Sequence, residues 1–300
     1  MVLHIDSAKI IDYLKQFIVN NKARGMAAEL SLHSELGLKS SLEQKLLPGG
    51  WLISPKIPLS QHYRYLISVL PNLYSDSNEL QNAVHALENE RGWQALATFM
   101  SQSGIGVIVS GALAPETVGD LENLQWKNYI YQNEILLLCN DDEPFVSWPG
   151  NRGRPSTGGE WQSDVMKRFE DLKNDDLMGL AMRQSFFYGY LKQRLRKPVD
   201  DPYDVDAFVV GFTGIVMPVE IKEKSPTPSG DFGIDAGRIL MLLRLCLATD
   251  SNALYVIRQV DETETRELVK WRYVTLADII TGCHWNLTGG GRGMSGGAQQ

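Results

Sequence analysis

Residues 203–222 read YDVDAFVVGFTGIVMPVEIK. Both ends of the stretch are rich in β-branched and aromatic residues, and Phe212-Thr213-Gly214 supplies turn chemistry between them, so it reads as a hairpin of two strands. Side chains alternate faces along a strand, and residues equidistant from Thr213 lie opposite one another. That register sets Asp206 across from Glu220 and Asp204 across from Lys222 on one face. The other face, Val205, Ala207, Val209, Ile215, Met217, Val219 and Ile221, is wholly apolar and is expected to be buried. On the charged face only the turn end is apolar, through Phe208, Val210 and Val216. This is the pattern of a buried sheet that opens into a cleft, where carboxylates are costly to ionise unless something compensates them.

Two carboxylates on neighbouring strands, with the Ile221 carbonyl between Glu220 and Lys222, form a hard oxygen site suited to Mg2+. Lys222 projects onto the same face as Glu220, where an ammonium orients an attacking water and counters charge on a phosphorane-like transition state. These residues resemble the PD-(D/E)xK nuclease superfamily, with Asp206 as the acid and Glu220-Ile221-Lys222 as the E-x-K element. The likeness is greatest to type II restriction endonucleases. It implies a Mg2+-dependent endonuclease, with Mn2+ as substitute, that hydrolyses double-stranded DNA as a homodimer. In that reading Asp206, Glu220 and Lys222 are catalytic, and Asp206, Glu220 and the Ile221 carbonyl hold the metal, with Asp204 as the alternative ligand.

Two features depart from the family pattern. Only Val199 to Tyr203 separate Pro198 from Asp204, which leaves no room for the strand expected before the Asp-bearing one; it is absent or supplied elsewhere, for instance by Phe145 to Trp148. Pro218 also removes a backbone donor inside the E-x-K strand and marks a bulge or an edge. Two other readings stay open. One is a nuclease effector or subunit of a defence, repair or mobile-element system, working with a protein partner. The other is a catalytically idle nucleic-acid-binding or scaffolding protein whose hairpin charges pair across two strands.

Beyond the hairpin, an apolar helix is predicted over residues 233–246 with Asp235 able to cap it, followed by a strand over 252–258. That succession gives a right-handed crossover with parallel pairing. Before the hairpin, a helical pattern runs from Asp164 to about Lys197, interrupted near Asn174-Asp175-Asp176, and stops at Pro198. The resemblance spans Glu160 to about Ile280. Residues 144–159 are dense in turn formers, and the domain boundary is placed there. The first half reads as helices over 7–21, 27–46 and 77–103 and strands over 51–55, 63–70, 105–110 and 129–140. The expected class is α/β, α+β overall: a mixed central sheet flanked by helices. A restriction-endonuclease-like core occupies residues 151–288, an α+β region for recognition or dimerisation residues 1–150, and a Gly-rich tail residues 289–300.

Composition sets limits on function. The 300 residues carry 29 Lys+Arg against 36 Asp+Glu, a formal net charge of -7, which excludes coating nucleic acid by bulk charge but allows a local basic groove. Arg152, Arg154, Lys192, Arg194, Arg196, Lys197, Lys224 and Arg238 are candidates to line it, although a basic helix end is also favoured by the helix dipole. Cys139, Cys246 and Cys283 have no zinc spacing and point to a reducing cytoplasm. No secretory signal opens the chain, and no run of about 18 apolar residues argues for a membrane span. Gln184 and Tyr188 match a Q-x-x-x-Y spelling found in RecB-like members, there after the E-x-K strand; here they precede it and read as helix packing. Glu160 and Glu170 could add a helix-borne acid, and Asp235 with Arg238 reads as a cap and a local ion pair.

Overall fold

Strands from both halves of the chain join one sheet. The computed structural model describes residues 2–3, 5–35, 44–53, 63–115, 124–139, 158–195, 203–282, 288–289 and 298–299. In chain order they form β1 (Val2–Leu3), α1 (Ser7–Phe17), α2 (Asn20–Glu35), β2 (Gln44–Ile53), β3 (Tyr65–Tyr74), α3 (Ser77–Glu88), α4 (Arg91–Gln102), β4 (Gly106–Leu113), β5 (Gln125–Gln132) and β6 (Ile135–Leu138). There follow α5 (Ser163–Glu170), α6 (Asn174–Ala181), a π-helical segment (Met182–Phe186), α7 (Phe187–Leu195), β7 (Tyr203–Gly211), β8 (Val216–Lys224), α8 (Ala236–Thr249), β9 (Leu254–Val260), β10 (Leu268–Thr275), α9 (Leu276–Gly282), β11 (Thr288–Gly289) and β12 (Ala298–Gln299). The sheet runs β10-β9-β8-β7-β2-β3-β4-β5-β6, with β1 beside β3; β11 and β12 pair with each other. Pairs β3–β4 and β8–β9 are parallel and the other pairs in the sheet antiparallel, so the fold is a mixed α+β sheet flanked by helices.

Both faces of the central strands are covered, which is why their sequences are apolar almost without interruption. Leu66 and Val107 enter a core built with Leu80, Val84, Trp93, Leu96, Leu242 and Ile279, so α3, α4, α8 and α9 cover that face. Their neighbours Ile67 and Ile108 enter a second core with Ile10, Met26, Val165, Leu177 and Phe187, from α1, α2 and α5 to α7. Full burial of each large apolar side chain contributes about 1.5–3 kcal/mol. No described helix is long and apolar enough to cross a membrane.

Several element boundaries differ from the sequence reading. The first helix ends at Phe17, and Asp6 rather than Ser7 caps it. The helical run assigned to 27–46 is α2 ending at Glu35, while residues 44–46 already belong to β2, whose Pro48-Gly49-Gly50 lies inside the strand and not after it. The helix over 77–103 is two helices, because Glu90 takes the amides of Gly92 and Trp93 and starts a new one. The strand over 129–140 is the hairpin β5–β6, turned at Asn133 and Glu134 with positive φ.

The strand beside the Asp-bearing β7 is β2. It pairs antiparallel with β7 from Gln44 opposite Gly211 to Leu52 opposite Tyr203. Phe145 to Trp148 and the boundary segment 144–157 lie outside the described residues. β2 can come this close because it carries Gly49: a Cβ there would stand 1.7 Å from the Val205 carbonyl oxygen.

Candidate active site

The hairpin register is the one centred on Thr213: Val210 pairs with Val216, Phe208 with Pro218 and Ala207 with Val219. Gly211 N donates to Ile215 O, and counting back by twos makes Phe208 and Pro218 a non-hydrogen-bonded pair. The nitrogen of Pro218 therefore points away from β7, toward a flank where β9 begins only opposite Val219. Pro218 is at a local edge, without a bulge. Phe208, Val210 and Val216 are buried as expected. The opposite face is less buried than expected: Ile215 is 63% exposed and Val209 and Met217 half-buried, because the core under α2 fully buries Ala207, Val219 and Ile221 with Val209 at its margin, while Val205 enters the other core with Phe208.

Past Ala207 and Val219 the β7–β8 ladder stops, and the acids lie in the opening. Asp206 Oδ2 accepts the Ile221 amide at 2.6 Å, so its carboxylate spans the gap to β8. The Ile221 carbonyl leaves the strand on the same flank as that amide. Lys222 forms an ion pair with Glu220 Oε1. Asp204 falls beyond the end of the β7–β8 ladder, so no ladder pair joins it to Lys222, although the Lys222 charge acts on it. It lies beside Trp51 of β2 in the ladder, receives Gln184 Nε2 at 3.4 Å, and is held by Arg238 Nη1 at 2.6 Å.

Glu220 is 0% exposed, and neither of its oxygens has a hydrogen-bond donor in good geometry, although Lys222 and, at 3.5 Å, Arg238 Nε approach Oε1. Burial, then the neighbouring charge of Asp206, pushes its carboxyl up to about 7. Asp206 is also raised by burial, against the pull of Lys222. For Asp204 burial works upward, but Arg238, Lys22 and Lys222 outweigh it and hold the group well below the carboxylate range. Burial works against the Lys222 ammonium, yet Glu220 and Asp206 overcome it and keep its proton more firmly than usual. The Tyr255 hydroxyl, on the β9 residue paired with Glu220, is buried without a hydrogen-bond partner.

Other predicted residues divide. Lys224 donates to the Gly233 carbonyl. Arg238 sits among the acids and pairs with Asp204 and Glu220 in place of the local ion pair with Asp235, which caps α8 through Gly237 N. Glu160 and Glu170 are exposed and away from the cluster; the helix-borne acid beside it is Glu29 of α2. Glu29 pairs with Arg183, and burial, with the charges of Asp206 and Asp204, pushes it up to about 8. Gln184, read as packing, hydrogen-bonds Asp204 from the π-helical segment, which Trp51 Nε1 anchors by donating to Arg183 O at 3.0 Å. Lys192 and Arg194 fall in α7, while Arg152, Arg154, Arg196 and Lys197 lie outside the described residues.

Glu29 carried a signal in the sequence: it is an acid on the stripe of Met26 and Leu32, both core residues, where a solvated helix face would not put it. No group of three or more His, Cys, Asp and Glu side chains among the described residues is set to hold a metal ion. Asp206 and Glu220 with the Ile221 carbonyl make a smaller, all-oxygen set, and the unsatisfied oxygens of Glu220 fit a hard dication. Comparison of the chain with protein-family models, with curated proteins and with solved structures gave no match.

Proposed function

We propose that this chain is a Mg2+-dependent endonuclease that hydrolyses DNA phosphodiester bonds, in the manner of type II restriction enzymes. One observation carries the reading: where the β7–β8 ladder opens, Asp206, Glu220 and Lys222 converge, and the buried Glu220 carboxylate is left short of donors. A buried acid without hydrogen bonds costs stability and is retained where a ligand completes it. β2 standing beside the Asp-bearing strand also agrees with the family's core, though it comes from the other half of the chain.

Asp206, Glu220 and the Ile221 carbonyl would hold Mg2+, which supplies Lewis acidity toward the phosphodiester. Lys222, whose proton its acids retain, acts as a cation: it orients the attacking water and offsets charge gathering on the phosphate oxygens. Asp206, fixed by the Ile221 amide, keeps the opening at a set width. Tyr255 and the apolar turn end of the hairpin restrict water on the inner side.

The test is cleavage of varied duplex DNA with Mg2+ by the wild type, Glu220→Gln and Lys222→Ala. Loss of about a hundredfold or more in each variant is expected, on the scale of deleting a transition-state stabiliser. Equal activity in all three removes this site. Unique cut ends support a restriction enzyme, and scattered ends an effector.

A further inference from the structure

We propose that Arg238 is the resident counter-ion of Glu220 and gives up that carboxylate to the divalent cation. The inference rests on the nuclease reading and adds a positioning role for a residue outside its acid–lysine set. At Glu220 itself the resident cations are Lys222 and Arg238, and a dication has to enter beside them. Any positive charge resting on Glu220 opposes that entry.

Lys222, two residues from Glu220 on the same strand and 26% exposed at its side chain, is drawn by both Glu220 and Asp206, so it stays with the acids proposed to hold the metal. Arg238 comes from another element, the first turn of α8, and its side chain is 28% exposed. It grips the two acids unequally. Its Nη1 holds Asp204 Oδ1 at 2.6 Å and the Asp204 carbonyl at 3.2 Å, whereas its Nε reaches Glu220 Oε1 only at 3.5 Å. The guanidinium can therefore let go of Glu220 while anchored on Asp204. Because neither Glu220 oxygen has a well-formed hydrogen bond, little is lost when it goes.

The experiment is Mn2+ titration of the full chain, without DNA, for the wild type, Arg238→Gln and Arg238→Lys. The Gln variant is expected to bind Mn2+ about tenfold tighter because a competing charge is gone, and the Lys variant, which keeps the charge, to stay within about twofold of the wild type. Both follow from charge; a purely structural Arg238 would give weaker or unchanged binding in each. Wild-type protein supplies a readout that does not depend on the variants folding: the Arg238 Nε–H NMR resonance should shift on addition of Mg2+. Binding by Arg238→Gln no tighter than wild type, or an unmoved resonance at saturation, overturns the counter-ion role alone. No Mn2+ binding by any of the three overturns the nuclease reading with it.

Discussion

Two glutamates three residues apart on β8 both bury their side chains and have opposite surroundings. Glu223 is ringed by cations: Arg168 and, at 3.2 Å, Arg258 on one oxygen, and Arg266 at 3.1 Å on the other. Those three arginines come from α5, β9 and the turn before β10, so the carboxylate ties separate elements together. Arg266 even adopts a positive φ of 49° in that turn. Glu220, on the other face, has one lysine and a distant arginine, with no well-formed hydrogen bond. Burial of an acid therefore does not by itself mark a reactive site. The supply of donors around it does: saturation fits a structural tie, and a shortage fits a place for a ligand.

The largest separation between the two should come from isosteric neutralisation. Glu223→Gln leaves three guanidiniums around an uncharged group and should cost about 3–5 kcal/mol of unfolding free energy, the range for breaking a buried ion pair. Glu220→Gln removes a carboxyl that has no well-formed hydrogen bond to lose and should not lower the melting temperature at pH 8. Denaturant titration of both variants checks this, and an equal loss in each would erase the distinction. A smaller effect is expected from Gly49→Ala, which sets a Cβ against the Val205 carbonyl beside Asp206. About 1–3 kcal/mol should be lost through overpacking, with cleavage reduced as the β2–β7 contact shifts; unchanged stability and activity would show that the close approach does not position the site.

The pH dependence sharpens the contrast further. Glu220 is raised from 4.5 to about 7, so between those values the folded state keeps a proton that the unfolded state has released. Its stabilising contribution is present in full below about pH 4.5 and is lost as pH rises through 7, which amounts to on the order of 1–3 kcal/mol. Melting curves from pH 5 to 8 should show this slope in the wild type and a flatter one in Glu220→Gln. The same slope in both would assign it to another group.

Much of this site was legible because a hairpin is local. The pairing of Val210 with Val216 and Phe208 with Pro218 follows from equal spacing about Thr213, and the apolar turn end follows from Phe208, Val210 and Val216. What was not legible depends on distant contacts. That ladder stops after Ala207 because Asp206 bonds the Ile221 amide, and no periodicity announces a side chain replacing a ladder bond. β2 was hidden because Pro48-Gly49-Gly50 reads as a break, while in the structure the glycine permits close approach to β7. Glu29, Gln184 and Arg238 come from three separate helical segments, and one sequence cannot tell which helix packs over which strand.

The most direct measurement is a crystal of the full chain soaked in Mn2+ and read by anomalous scattering. A peak about 2.0–2.5 Å from carboxylate oxygens of both Asp206 and Glu220, with the Ile221 carbonyl facing it, is the predicted result. A saturated crystal with no peak there, and with Lys222 and Arg238 still closed on Glu220, would contradict it.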